Sequence, residues 1–225
     1  MNPVDLRVVE TAEEAAEAAA QLIAEAAGTG GHIALSGGSG PRPAYERAGI
    51  LRPDWSSVEL WWIDERCVPP ADGRSNYRVI RESLLDGLAR APAEVHRVRG
   101  ELEPEEAAAE YDRALESVTL SLAVMGVGPD GHTASLFPNS SALDETERRA
   151  VAAEAGMEPF VPRVTLTRPA LAAARTMVFL AMGEGKAEAV GRAFRDEPSP
   201  DTPASLVRGV ETIAILDRAA AAHLG

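Results

Sequence analysis

The stretch GVGPDGHTASLFP, residues 126–138, places His132 two residues after Asp130 in a glycine-rich loop directly behind the apolar run LSLAVM. An imidazole is the usual side chain for moving a proton near neutral pH, and a carboxylate that accepts its Nδ1 proton would fix its tautomer. Two-residue spacing alone leaves that contact open. The three glycines also fit G-x-G-x-x-G, the spacing of a dinucleotide loop. Against that reading, Asp130 would set a negative charge against a pyrophosphate, and the acids of residues 144–154 follow no strand. The glycines are therefore read as shaping a sharp turn that presents His132. His32 opens a strand, His96 begins another and His223 lies in the C-terminal tail, so these three read as structural or solvent-facing.

Three further segments could carry chemistry. SGGSGPRP, residues 36–43, sets Gly37, Gly38 and Ser39 behind a strand, where bare backbone can turn several N–H groups toward one anion. A tight strand-to-helix turn that needs glycine only for its dihedrals is the other reading. Arg42 could add a fork of donors to phosphate oxygens, or be a solvated surface arginine. The 22 basic residues are 21 arginines and one lysine, Lys186, which singles out that ammonium because the two cations are not interchangeable. Lys186 stands in GEGK, yet a Walker A loop fails here: Leu180 replaces its first glycine and Ala187 its Ser or Thr. What survives is an ammonium near a helix N-terminus, able to complete a phosphate site opened by SGGS, with Arg163 as a further candidate. In DER, residues 64–66, Arg66 could oppose charge developing on a carbonyl oxygen, or belong to a salt-bridged edge.

The elements that must position these residues alternate along the chain. Strand DLRVV is followed by a helix that Thr11 and Glu14 open as a capping box and that glycines 28, 30 and 31 close. Strand HIALS, helix PAYERA, strand VELWWID, helix NYRVIRESLLDGL, the Pro104–Glu116 helix and strand LSLAVMGV follow. VPRVTLT, RTMVFLAMG and VETIAIL read as later strands, with PALAAA and EGKAEAVGRAF helical. This is the pattern of βα units around a mostly parallel sheet, an α/β fold in one domain spanning residues 1–225. Ligands of such sheets bind at the carboxyl ends of the strands, where all four loaded segments fall.

Composition narrows the partners. Apolar residues make up 45% and charged residues 25%, which argues for a folded globular chain. A net charge of -13 disfavours nucleic acid and anionic membrane surfaces, so an anionic substrate must be caught locally. No stretch approaches the about 18 apolar residues of a spanning helix. The segment MNPVDLRVVE lacks the basic and apolar regions of a signal peptide, so a cytoplasmic protein is expected. Cys67, the single cysteine, rules out an internal disulfide and reads as a small buried hydrophobe. No histidine and carboxylate cluster has the spacing of a metal site, and no cofactor is expected.

Taken together, LSGGSGPRPAYE, WWIDERCVP with SNYRVIRESLL, GVGPDGHTASLFP, PRVTLTRPAL and GEGKAEAV resemble, in order and spacing, the 6-phosphogluconolactonase family over nearly the whole chain. The resemblance implies a modified Rossmann-like fold with helices flanking the sheet. It implies hydrolysis of 6-phosphogluconolactone to 6-phosphogluconate in the pentose phosphate pathway, with a small sugar phosphate as the partner. A monomer is expected. It assigns His132 as the base that activates water, Arg66 to the oxyanion and Asp130 to support of the histidine. Gly37, Gly38, Ser39, Arg42, Arg163 and Lys186 would hold the 6-phosphate. The family usually reads SGGSTP, so Gly40 removes a hydroxyl from that loop. Amino-sugar phosphate isomerases and deaminases of the same superfamily look similar, but they call for a carboxylate shortly after the histidine and a tyrosine after Asp-Glu. Here those positions read TASLFP and DER. A silent sugar-phosphate sensor would keep Lys186 and the glycine loop and dispense with His132.

Overall fold

The computed structural model describes residues 3–225. Thr11 caps the first helix as expected: its hydroxyl accepts from the Glu14 N–H, and the Glu14 carboxylate accepts from the Glu10 N–H. That helix, α1 (Ala12–Thr29), follows β1 (Val4–Val9) and buries Ala15, Ala16, Ala19, Ala20, Ile23, Ala24 and Ala27 along one face. Small side chains at these positions let it lie close against its neighbours, α2 (Arg42–Leu51) and the last strand. Gly30 and Gly31, at φ 82° and 98°, turn the chain into β2 (Gly31–Leu35) with a backbone that favours glycine.

The remaining elements are β3 (Val58–Trp62), β4 (Asp64–Arg66), α3 (Asn76–Ser83), β5 (Glu94–His96), α4 (Pro104–Ala114) and β6 (Leu122–Gly126). After them come β7 (Ala150–Ala153), β8 (Arg163–Leu166), α5 (Arg168–Ala172), β9 (Thr176–Ala181), α6 (Ala187–Phe194) and β10 (Glu211–Asp217). Seven strands form one sheet in the order β1-β10-β9-β6-β2-β3-β5, and every pair in it is parallel. Its buried side chains and those of the helices form one connected core, with Trp61, Trp62, Ile33, Leu35, Leu60 and Phe179 fully enclosed. Parallel strands covered on both faces read as near-continuous apolar runs, which is how HIALS, LSLAVM and TMVFLA appear in the sequence.

Two segments depart from the simple alternation. VELWWID is not one strand: it breaks at Ile63, whose N–H donates to Leu35 of the large sheet and whose carbonyl accepts from the Leu166 N–H. Beyond that residue β4 joins a second, antiparallel sheet of order β4-β8-β7, so VPRVTLT pairs there rather than in the main sheet. The third member, β7, is the four-residue AVAA, too short and too alanine-rich to read as a strand from its sequence. His96 ends β5 rather than beginning a strand, and α6 starts at Ala187, after a 3-10 turn over Glu184–Lys186.

Tyr111 of α4 secures the point where the two sheets meet. Its hydroxyl donates to the Trp62 carbonyl at 2.9 Å and accepts from the Trp62 N–H at 2.7 Å, standing in for a strand that β5 is too short to supply. Because two buried backbone groups would lose their partner, Tyr111→Phe should lower unfolding stability by about 2 kcal/mol in a denaturant titration. A stability equal to wild type would show that another group satisfies Trp62.

Candidate active site

The loop behind β6 is folded on itself. The Gly128 N–H donates to the His132 carbonyl, the Gly131 N–H donates to the Gly128 carbonyl, and Gly131 adopts φ 94°. The Thr133 hydroxyl ties the turn back to the Gly126 carbonyl at 2.8 Å. Ala134 sits at φ 54°, a left-handed conformation that costs an ordinary residue roughly 1–2 kcal/mol and persists here between anchored neighbours. One of those anchors is Ser135, whose N–H donates to Thr165 and whose hydroxyl donates to Asp64 at 2.6 Å.

This turn brings the His132 Nδ1 to 2.5 Å from Asp130 Oδ1. Burial works to raise the Asp130 carboxyl, but the hydrogen bonds and charge of His132 outweigh it and hold the group below the ordinary carboxylate range. An ionised carboxylate can only accept, so Nδ1 carries the proton, and in the neutral ring the lone pair lies on Nε2. Phe137 packs against the imidazole with ring centroids 4.8 Å apart. Gly128 makes the pairing possible, because a Cβ there would lie 2.0 Å from His132 Nδ1 and 2.7 Å from Asp130 Oδ1. The glycine pattern is therefore a seat for an imidazole rather than for a dinucleotide.

His132 lines a cavity of about 550 Å³ together with Gly37, Gly38, Ser39, Arg66, Arg163 and Lys186. Parallel register accounts for the convergence: Leu35, Val124 and Val178 pair across β2, β6 and β9, so the loops that leave these three strands emerge side by side. Arg66 and Arg163 arrive from the small sheet as direct cross-strand partners. Neither has a carboxylate partner among the described residues. Arg66 donates to the Arg74 carbonyl, and Arg163 donates to the carbonyls of Val161, Pro159 and Met157. Burial, and then the like charge of Arg66, pulls the Arg163 guanidinium below its ordinary value. Lys186 is half-buried and also forms no ion pair among the described residues; burial lowers its ammonium while Asp130 opposes the shift.

Two expected residues stand elsewhere. Arg42 does not line the cavity: its guanidinium reaches Glu46 at 3.0 Å, one turn along α2, and Glu82 at 3.7 Å. Asp130 is likewise absent from the lining; it acts on the cavity through its contact with His132 and through its charge on Lys186. Gly40 faces open space, where an added Cβ would meet nothing within 4 Å. Cys67 is only partly enclosed, with its thiol pushed up to about 11 chiefly by burial, so it serves as a packing residue.

Several contributors were invisible in the sequence. Glu65 is 2% exposed, and its carboxylate accepts the N–H groups of Arg66, Asn76 and Tyr77 and the Ser75 hydroxyl. It thereby fixes the start of α3 beside Arg66, although burial pushes its carboxyl up to about 7 against the pull of those donors. Asp217, at the end of β10, accepts the Gly183 N–H with both oxygens at 3.0 Å and so anchors the loop that carries Lys186.

The cavity thus joins a tautomer-fixed imidazole to three cations that lack an ion-pair partner among the described residues, in a chain of net charge -13. That combination suits an anionic substrate attacked by an activated water. Residues 7–215 match the family described as Glucosamine-6-phosphate isomerases/6-phosphogluconolactonase. The chain belongs to this family. Among its relatives, the 6-phosphogluconolactonase of Homo sapiens is 36% identical over 222 residues, covering 90% of this chain and 86% of that protein. The 6-phosphogluconolactonase of Streptomyces coelicolor is 37% identical over 187 residues, covering 76% of this chain and 72% of that protein. The solved structure of 6-phosphogluconolactonase from Trypanosoma brucei superposes with a TM-score of 0.86 at 28% identity, covering 100% of this chain and 99% of that one. Within the family frame, Gly128 is the residue that gives the histidine its place. Gly128→Ala should cut kcat at least tenfold by displacing the imidazole, since a shift of about 1 Å can cost 10²-fold. Circular dichroism and thermal unfolding of the variant check that the fold is retained, and an unimpaired kcat would show that the imidazole needs no such seat.

Proposed function

We propose that the chain hydrolyses 6-phosphogluconolactone to 6-phosphogluconate. The observation that carries this reading is His132 with Nδ1 held by Asp130, in one cavity with Arg66, Arg163 and Lys186. Nε2 of His132 takes a proton from a water whose oxygen attacks the lactone carbonyl carbon. Negative charge then moves onto the carbonyl oxygen, and the Arg66 guanidinium opposes it. Collapse of the tetrahedral intermediate breaks the bond from that carbon to the ring oxygen, which leaves with the proton returned by the imidazolium. Asp130 stays ionised throughout and stabilises the imidazolium. Gly37, Gly38 and Ser39 with Arg163 and Lys186 hold the 6-phosphate. Arg42, engaged with Glu46, has no part in this scheme.

The chemistry asks for no metal: one positioned base contributes typically about 10² to 10⁴-fold, and charge stabilisation of the oxyanion adds to it. Enolisation of an amino sugar needs more acid–base groups, and the segment TASLFP after His132 supplies no carboxylate. All the residues invoked come from one chain, so a monomer suffices for activity. Among the described residues no helix is long and apolar enough to cross a membrane, and with the single cysteine and the acidic charge this fits work in the cytoplasm.

The test is a coupled assay on freshly generated 6-phosphogluconolactone, corrected for spontaneous ring opening. Wild type should accelerate opening and release no ammonia from glucosamine 6-phosphate. His132→Ala should lose about 10² to 10⁴-fold in kcat with its fold intact. A fully active His132→Ala protein would remove the base from this scheme.

A further inference from the structure

Asn76 has no part in the chemistry above, yet it lies at the junction of its two halves. It is the first residue of α3, lines the cavity and is 1% exposed. Its backbone N–H donates to Glu65, and its side-chain Nδ2 donates to the Asp64 carbonyl at 2.8 Å and reaches the Asp64 carboxylate at 3.3 Å. Those two contacts fix which way the amide points. Its oxygen, Oδ1, is buried with no hydrogen-bond partner, a state that costs a protein about 1–3 kcal/mol. What lies against that oxygen is Gly37: a Cβ there would fall 2.0 Å from Oδ1 and 2.1 Å from Cγ.

The amide thus touches the bare glycine on one side and grips Asp64 on the other. Asp64 in turn accepts the hydroxyl of Ser135, three residues beyond His132. One continuous line of contacts runs from the histidine loop through Ser135, Asp64 and Asn76 to the glycine loop. We propose that Asn76 is a positioning residue that seats Gly37, setting where the phosphate loop stands relative to Asp64 and the histidine loop. The inference rests on the reading of the glycine loop as the phosphate cradle. A planar amide suits the task because its nitrogen can hold Asp64 while its oxygen and Cγ fill the space a glycine leaves. Asp at this position loses the donor and sets a second carboxylate beside Asp64.

The test measures kcat and KM for the lactone, together with Ki for inorganic phosphate as a competitive inhibitor, in Asn76→Ala, Asn76→Asp, Gly37→Ala and the Gly37→Ala/Asn76→Ala double variant. Competition by phosphate in wild type checks the cradle reading separately. Its absence there would overturn that reading and this inference with it. With competition present, both Asn76 variants should raise KM and Ki together by roughly tenfold or more while kcat stays within about threefold, because the loop is displaced and the base is not. Loss of folded protein alone would lower apparent kcat and leave KM and Ki unchanged, and that outcome overturns the proposal. If Asn76→Ala does not fold, the near-isosteric Asn76→Asp carries the measurement. Gly37→Ala should be severely impaired and the double variant should bind better than Gly37→Ala alone, because removing the amide makes room for the new methyl group. Additive losses would contradict a seat shared by the two residues.

Discussion

Parallel register is the constraint on which the site depends. Leu35, Val124 and Val178 lie abreast in β2, β6 and β9, and these three neighbouring strands end in the glycine loop, the histidine loop and the lysine loop. A shift of one residue in any of them would turn its side chains to the opposite face and move its loop by about 3.3 Å along the strand. The core therefore does more than stabilise: the enclosed Ile33, Leu35, Val124 and Val178 hold the loop origins in place. Ile63 then passes the chain from this sheet to the smaller one, so that Arg66 and Arg163 approach the same cavity from outside the parallel array.

The electrostatics follow from that arrangement. A chain of net charge -13 repels anions at long range, yet in the cavity two guanidiniums and one ammonium are held without an ion-pair partner among the described residues. Elsewhere many arginines meet carboxylates, as Arg42 meets Glu46, Arg78 Glu82 and Arg97 Glu101, while Arg149, Arg168 and Arg208 donate to backbone carbonyls. Leaving cations unpaired in an enclosed site, with Arg163 buried and Lys186 half-buried, is costly to the fold, and a dianionic phosphate would relieve it. The cationic cavity and the acidic exterior thus belong to one scheme, with capture local and the remaining surface soluble and non-adhesive.

Much of this was legible in the sequence, for identifiable reasons. Strand-end loops announce themselves through glycines, a lone lysine and a histidine flanked by turn residues, and the apolar runs before them mark buried parallel strands. Long-range pairing was not legible. Arg66 and Arg163 are separated by nearly a hundred residues, and only the antiparallel register of β4 and β8 makes them neighbours. Arg42 was readable in principle, because Glu46 stands four residues on, at helical ion-pair spacing. Ser75 is a recognisable helix cap, but nothing local reveals that the Glu65 carboxylate completes the same helix start or that Asn76 meets Gly37. The cost of a Cβ at Gly128 depends on a side chain four residues away and emerges only once the turn is built.

The most direct test of the central claim, that one cavity presents a base at one group of the substrate and cations at another, is a crystal structure with 6-phosphogluconate bound. The account predicts the phosphate against Gly37, Gly38 and Lys186, with the carboxylate carbon within reach of His132 Nε2 and a carboxylate oxygen on Arg66. Product bound with its carboxylate away from His132, or outside this cavity, would contradict it.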